Sequence, residues 1–203
     1  MKLRAFKQVD VFTATPYFGN PLAVVLDGSA LDVASMQRFA SWTNLSETTF
    51  LLAPTSPAAD YRVRIFTPLG ELPFAGHPTL GSCHSWLLAG GQSKSKSFIV
   101  QECSAGLVRI RHEPASQRLA FAAPPLKTSA PSPGLLAQVA AALGLQEGKI
   151  MAAQMLDNGP VWLGLLLDSP ETVLQLSPNH QMLDELKVRS VLQVFIKKSK
   201  HHY

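Results

Sequence analysis

Residues 78–89, Pro-Thr-Leu-Gly-Ser-Cys-His-Ser-Trp-Leu-Leu-Ala, contain no aspartate, glutamate, lysine or arginine. Pro78 opens this stretch and Gly90-Gly91 closes it, the punctuation expected at the start and end of a helix. A surface helix needs a polar face towards water, so a helix without one is expected to be buried all round. That requirement constrains the rest of the chain, which must supply apolar surface around one central helix. The supply comes from strands. Alternation or short apolar runs predict strands over residues 4–12, 21–26, 48–52, 61–66, 97–101, 107–111 and 118–122. A helix is predicted over residues 32–43, capped by Ser29 or Asp32, with Met36, Phe39, Ala40 and Thr43 on one face. Many strands interrupted by single helices give an α+β fold in which a strongly curved sheet wraps a helix.

The pattern restarts further on. Residues 124–133 are rich in proline and serine and read as a linker. Beyond them come a helix over 134–143 ended by Gly144 and strands over 150–156 and 161–167. Short helices follow after Ser169-Pro170 and Ser177-Pro178, and Asp157-Asn158-Gly159 reads as a tight turn. Residues 194–203 show neither periodicity nor a cap. With 203 residues the chain has room for one large domain or two small ones and needs no disulfide to hold a core.

Composition narrows the function classes. The formal charge is +4, but Lys197, Lys198 and Lys200 supply most of it; without them 15 basic residues face 14 acidic ones. Arg62, Arg64, Arg109 and Arg111 alternate with Val63, Ile65, Val108 and Ile110, as the solvated side of half-buried strands does, so no nucleic-acid partner is expected. No apolar run approaches the roughly 18 residues of a membrane span, and the opening Met1-Lys2-Leu3-Arg4 is unlike a secretory leader. Cys83 and Cys103 are too few for a disulfide framework or a zinc site, which makes a reducing cytoplasm the expected compartment. Neither a Walker loop, a G-x-G-x-x-G nor a G-x-S-x-G occurs, so nothing points to a nucleotide cofactor or a serine hydrolase.

Three segments carry the chemistry, and chain direction would bring them together: Gly19-Asn20-Pro21, Leu45-Ser46-Glu47-Thr48-Thr49-Phe50, and Phe74-Ala75-Gly76-His77-Pro78-Thr79. Glu47 lies between a helix end and an apolar strand. A carboxyl there is either a solvated loop residue or a desolvated acid able to take and return a proton near neutral pH. His77 immediately precedes the Pro78 helix, whose first N–H groups offer an anion site. It either caps the helix or donates a proton beside a bound carboxylate. His84, on the apolar helix, reads as a packed histidine and not as a metal ligand.

These segments resemble the phenazine-biosynthesis PhzF-like isomerases, whose fold is similar to diaminopimelate epimerase. The matching residues are Gln8-Val9-Asp10-Val11-Phe12-Thr13, Phe18-Gly19-Asn20-Pro21-Leu22-Ala23-Val24-Val25, Asn44-Leu45-Ser46-Glu47-Thr48-Thr49-Phe50, Arg64-Ile65-Phe66-Thr67-Pro68 and Glu71-Leu72-Pro73-Phe74-Ala75-Gly76-His77-Pro78-Thr79-Leu80-Gly81. The likeness is strong over the first 85 residues or so and weaker to about Asp168. It implies two pseudo-symmetric α+β domains, each a barrel-like sheet around a central helix, with the active site in the cleft between them. Residues 1–123 would be the first domain with its central helix at 78–89, 124–133 the linker, 134–190 a partial second domain and 191–203 an aberrant tail.

The resemblance further implies a proton-shifting isomerase with no cofactor and no metal. Glu47 would be its acid/base, and Ser46, Gly76, His77 and Asn20 would line the site for a small carboxylate-bearing substrate. The best-known family reaction moves a proton between carbons of a hydroxylated cyclohexadiene carboxylic acid. Glu47 stands where the two-thiol racemases of the wider superfamily carry their first cysteine, so both cysteines are expected to be structural. Homodimers are in keeping with the family; a nucleic-acid or membrane partner is not. The chain departs from the pattern in lacking the D-P-A-T-G-S-A motif of the second domain. The expectation is therefore a truncated or frameshifted member with an incomplete second barrel, prone to aggregate or to need a partner. The alternative is a catalytically impaired, small-acid-binding protein of the same fold.

Overall fold

A computed structural model of the chain describes residues 3–123, 125–146, 148–157 and 161–186, and the backbone of 193–195. The turn expected at Asn158 and Gly159 and most of the expected tail, 191–192 and 196–203, lie outside the described residues. The chain divides into two compact units, Met1–Ala122 and Ala123–Tyr203.

The first unit is built on β1 (Phe6–Val11), β2 (Asn20–Val25), β3 (Thr48–Leu52), β4 (Tyr61–Phe66), β5 (Glu71–Leu72), β6 (Phe98–Cys103), β7 (Gly106–Glu113) and β8 (Arg118–Phe121). They form one mixed sheet in the order β1-β2-β3-β4-β6-β7-β8, with β5 beside β4. Two neighbouring pairs, β2 with β3 and β4 with β6, run parallel. Parallel neighbours cannot be joined by a hairpin and need a crossover. Helices α1 (Val33–Thr43) and α2 (Gly76–Leu88) supply the two crossovers.

The helices lie on opposite faces. Asp32 caps α1, its Oδ1 accepting from Ser35 N at 2.7 Å. Met36 and Ala40 pack with Val25, Phe50 and Phe66 on the outer face. On the inner face Cys83 of α2 packs with Val11, Leu22, Val24, Leu51, Tyr61, Val63, Ile65, Ile99 and Ile110. Strands sandwiched in this way are apolar on both faces, which accounts for the unbroken run in β2. The helix comes close to the sheet at Gly81, where a Cβ would stand 2.6 Å from Leu22 Cδ2 and 2.9 Å from Val11 Cγ2. Arg62 and Arg64 share the outer face of β4 beyond the reach of α1, and Arg64 is bonded to Glu71.

Three sequence expectations need correction, and one short strand adds to them. α2 begins at Gly76, so His77 and Pro78 lie inside the first turn. The first turn of a helix has no acceptor for its N–H groups, so a proline loses nothing there; the first internal bond is Thr79 N to Ala75 O, 3.2 Å. Nor is α2 buried all round, because His84 and Leu88, four residues apart, are exposed. The sheet curls about the helix without closing, β1 and β8 remaining as its two edges. His84 is thus not packed into the core, though partial desolvation and the Lys7 ammonium both act to lower its pKa. Finally, β5 escapes sequence reading because two residues are too short for a periodicity.

In the second unit β9 (Lys127–Ser129), β10 (Ile150–Asp157), β11 (Val161–Leu167) and β12 (Gln193–Phe195) form a sheet in the order β12-β11-β10-β9. Helix α3 (Pro133–Ala142), capped by Ser132, contributes Val139 to a core with Leu143, Leu163, Leu165 and Leu167. Helices α4 (Pro170–Leu174) and α5 (His180–Glu185) are capped by Ser169 and Asn179. Two differences from expectation share one cause. Lys127–Ser129, placed in the linker, pairs with Met155–Asp157, and Gln193–Phe195, placed in the aberrant tail, pairs in parallel with Gly164–Leu166. Three-residue edge strands take their conformation from the strand beside them and carry no pattern of their own.

Candidate active site

Glu47 is placed by the crossover from α1 to β3. Asn44, in the left-handed region with φ 53°, ends α1 and returns its N–H to Ala40 O at 3.3 Å. Thr43 at the end of the helix and Thr48 at the start of the strand bond through their hydroxyls at 2.8 Å, closing the turn that carries Ser46 and Glu47. Thr48 and Thr49 are fully buried; Thr49 Oγ1 receives Ser82 Oγ of α2 at 2.9 Å, which ties the strand to the central helix.

His77 is placed by the first turn of α2. A buried chain of side chains anchors that turn: Tyr61 OH donates to Gln101 Oε1 (2.9 Å), Gln101 Nε2 to Thr79 Oγ1 (3.0 Å) and Thr79 Oγ1 to Ala75 O (2.9 Å). Each such bond contributes about 1 kcal/mol net, and together they fix the residue immediately before Gly76 and His77. Ala75 caps the helix with no side-chain bond and no acidic residue lies in the first turn. The positive end of the helix is therefore not neutralised locally.

The two crossovers bring His77 Nδ1 to 3.3 Å from Glu47 Oε2. Both side chains are largely buried, at 8% and 18% exposure. Neither Glu47 Oε2 nor His77 Nε2 has a hydrogen-bond partner. Burial raises the Glu47 pKa. Burial also lowers that of His77, opposed by the Pro21 carbonyl, which favours the protonated ring. Desolvation acts on both groups in the direction of their neutral forms, and so against an ion pair at this short approach. A buried polar atom without a partner carries an energetic penalty that a bound group could relieve.

The other residues singled out in the sequence fall around this pair unevenly. Asn20 opens β2 and is half-buried; because β2 and β3 run parallel, it lies at the same end of the sheet as Glu47. Ser46 is exposed. Gly76 is half-buried, and a Cβ there would stand 3.1 Å from Phe121 Cζ at the end of β8. Cys83 and Cys103 are free and buried, and burial pushes the Cys83 thiol up to about 12. A thiol so held is protonated at neutral pH and a poor nucleophile. Sequence reading missed Phe12, whose ring centroid lies 6.4 Å from that of His77. Nothing in its alternating strand distinguishes it; its backbone angle and its neighbour do. No helix among the described residues is long and apolar enough to cross a membrane.

Comparisons with known proteins agree with this architecture. The profile of the phenazine biosynthesis-like proteins, PhzC-PhzF, matches residues 9–203. Antisense-enhancing sequence 1 of Schizosaccharomyces pombe is 40% identical over 192 residues, 92% of this chain and 65% of that protein. Trans-2,3-dihydro-3-hydroxyanthranilate isomerase of Pseudomonas aeruginosa is 36% identical over 181 residues, 86% of this chain and 61% of the relative. The chain therefore spans less than two thirds of the length of these relatives. A phenazine biosynthesis protein of the PhzF family from Bacillus anthracis superposes with a TM-score of 0.79 at 23% identity, over 98% of this chain and 69% of its own. The curled sheet around α2, the matched profile and the extent of the identity agree: this chain belongs to the phenazine biosynthesis-like, PhzF-type family.

Proposed function

We propose that the chain shifts a proton between carbons of a small carboxylic acid, with Glu47 as the group that takes and returns it. The observation that carries this reading is the buried Glu47 carboxyl, with Oε2 unpartnered and His77 beside it. Ionised, Glu47 removes a proton from a carbon made acidic by the substrate's carboxyl group; the electron pair left behind moves into that group. The carboxyl Glu47 has become then delivers the same proton to a second carbon on the same face. A raised pKa suits a group that must act as both base and acid near neutral pH. The free N–H groups of Gly76 and His77, at the positive end of α2, would hold the substrate carboxylate as its negative charge grows. Ser46 and Asn20 would border the same space, and the reading calls on no cofactor. Two free, buried thiols suit a reducing compartment such as the cytoplasm.

The P. aeruginosa relative's name supplies a first substrate to test. Trans-2,3-dihydro-3-hydroxyanthranilate is incubated with the chain in deuterium oxide, and isomerisation and deuterium uptake are followed by proton NMR. The parent is expected to turn over and Glu47→Gln to lose about 10²–10⁴-fold in rate. Equal turnover by the two would overturn the assignment. A second reading, a carboxylate-binding protein without turnover, rests on the same unpartnered Glu47 Oε2 and His77 Nε2. Saturable binding with no isomerisation by the parent would select it.

A further inference from the structure

Phe12 combines three properties that packing alone does not reconcile. It is 71% exposed, although the next residue back, Val11, is 7% exposed and part of the core. Its backbone has φ 70°, a left-handed conformation that is unfavourable for a bulky residue and persists only where the surroundings impose it. Its ring stands tilted 50° to that of His77 at 6.4 Å, so an apolar face borders the polar pair of the site.

The surroundings that impose the conformation are visible. Val11 pairs with Asn20, so residues 12–19 form a closed loop between β1 and β2. Within it Tyr17 N donates to Asp10 Oδ2 and Thr15 N to Thr13 Oγ1. Gly19 lies against Val11 O, where a Cβ would come within 2.4 Å. The loop is braced on both sides, and its bracing turns an aromatic ring out of the core and towards His77.

We propose that Phe12 is a substrate-contacting residue that presents its ring to a flat, unsaturated ring on the carboxylic acid, an inference that rests on the carboxylic-acid reading above. The face of an aromatic ring is electron-rich and repels a carboxylate, whereas it attracts the face or edge of another π-system. The substrate carboxylate is thus directed to the N-terminus of α2 and the ring it is attached to is directed to Phe12. That division places the carbon next to the carboxyl group between them, where Glu47 acts. Phe12 is in this way the residue by which the site tells a flat ring from a saturated or open-chain acid.

The experiment compares benzoate with cyclohexanecarboxylate, equal in charge and similar in size but flat in one case only. Binding is measured by NMR titration on the full chain, on Phe12→Leu and on Phe12→Asn, and Tm is recorded for each. The parent is expected to bind benzoate about three- to ten-fold more tightly. Both variants should bring the ratio close to one while leaving cyclohexanecarboxylate within about two-fold. Asparagine tolerates a positive φ, so Phe12→Asn should also raise Tm by a few degrees. Affinity and stability then move in opposite directions, which a packing role would not produce. A benzoate preference unchanged in both variants overturns the inference alone, as does a fall in Tm with the ratio preserved. Failure of both acids to bind the parent overturns the carboxylic-acid reading and the inference with it.

Discussion

Replacing Glu47 by Gln tests the electrostatics of the site independently of any substrate. In the unfolded chain the carboxyl is in water and titrates near its ordinary value of about 4.3. In the folded chain burial raises that value. Below pH 4 both states hold the proton and Glu47 incurs no ionisation penalty. As pH rises the unfolded state gives up its proton first, and stability is lost until the folded carboxyl has itself titrated; above that point the loss is constant. Glutamine has the same shape and no charge, so its contribution does not vary with pH. An unpartnered buried acceptor such as Glu47 Oε2 costs about 1–3 kcal/mol. The new amide brings partners of its own to satisfy, which leaves a net gain of about 1 kcal/mol at pH 8 and close to none at pH 4. For a chain of this size that corresponds to about 2–4 °C in Tm. Scanning calorimetry from pH 4 to pH 8 should show the variant's advantage opening with pH. Glu71→Gln, which gives up the charge and one of the two acceptors facing Arg64 at 2.7 and 2.6 Å, should instead lower Tm. A Glu47→Gln difference that is flat with pH, or that reverses at high pH, would refute the desolvation argument.

Three further outcomes follow from distances already given. Thr48→Val removes the 2.8 Å bond to Thr43 while keeping the shape of the side chain; it should cost about 1 kcal/mol in urea unfolding and lower kcat more than it changes KM, because the turn holding Glu47 is loosened. Gly81→Ala places a methyl group 2.6 Å from Leu22 Cδ2 and 2.9 Å from Val11 Cγ2; an overpacked contact of this kind should cost about 1–3 kcal/mol, read as a lower urea midpoint at unchanged m. Cys83, buried and with its thiol pushed up to about 12, should resist iodoacetamide at pH 8 in the native chain and react once urea unfolds it.

Legibility in the sequence varied with the distance over which each signal acts. Strands β3 and β4 lie where alternation places them, at Thr48–Leu52 and Tyr61–Phe66. Helix α1 begins after Asp32, one of the two caps the sequence offered. Signals of this kind act over two to four residues and are written in the chain itself. The two-residue β5 and the three-residue β9 and β12 were not legible, since each takes its conformation from a neighbouring strand far along the chain. The charge-free segment did announce a central helix, but it did not reveal that the sheet stays open beside His84 and Leu88.

The candidate site divides in the same way. The residue types and their order, Asn20, Ser46-Glu47 and Gly76-His77, are properties of the sequence, and they identify the family. That Glu47 and His77, thirty positions apart in the chain, stand 3.3 Å from each other is a result of two crossovers on opposite faces of one sheet. Their displacement towards neutral forms is likewise tertiary, because desolvation depends on what surrounds a group and not on its neighbours in sequence. Phe12 shows the point most simply: as a letter it continues an alternating strand, and only the closed loop behind it turns its ring towards His77. Local pattern determined which elements form and which side chains they carry; packing across the sheet decided which of those side chains meet, and how far from water.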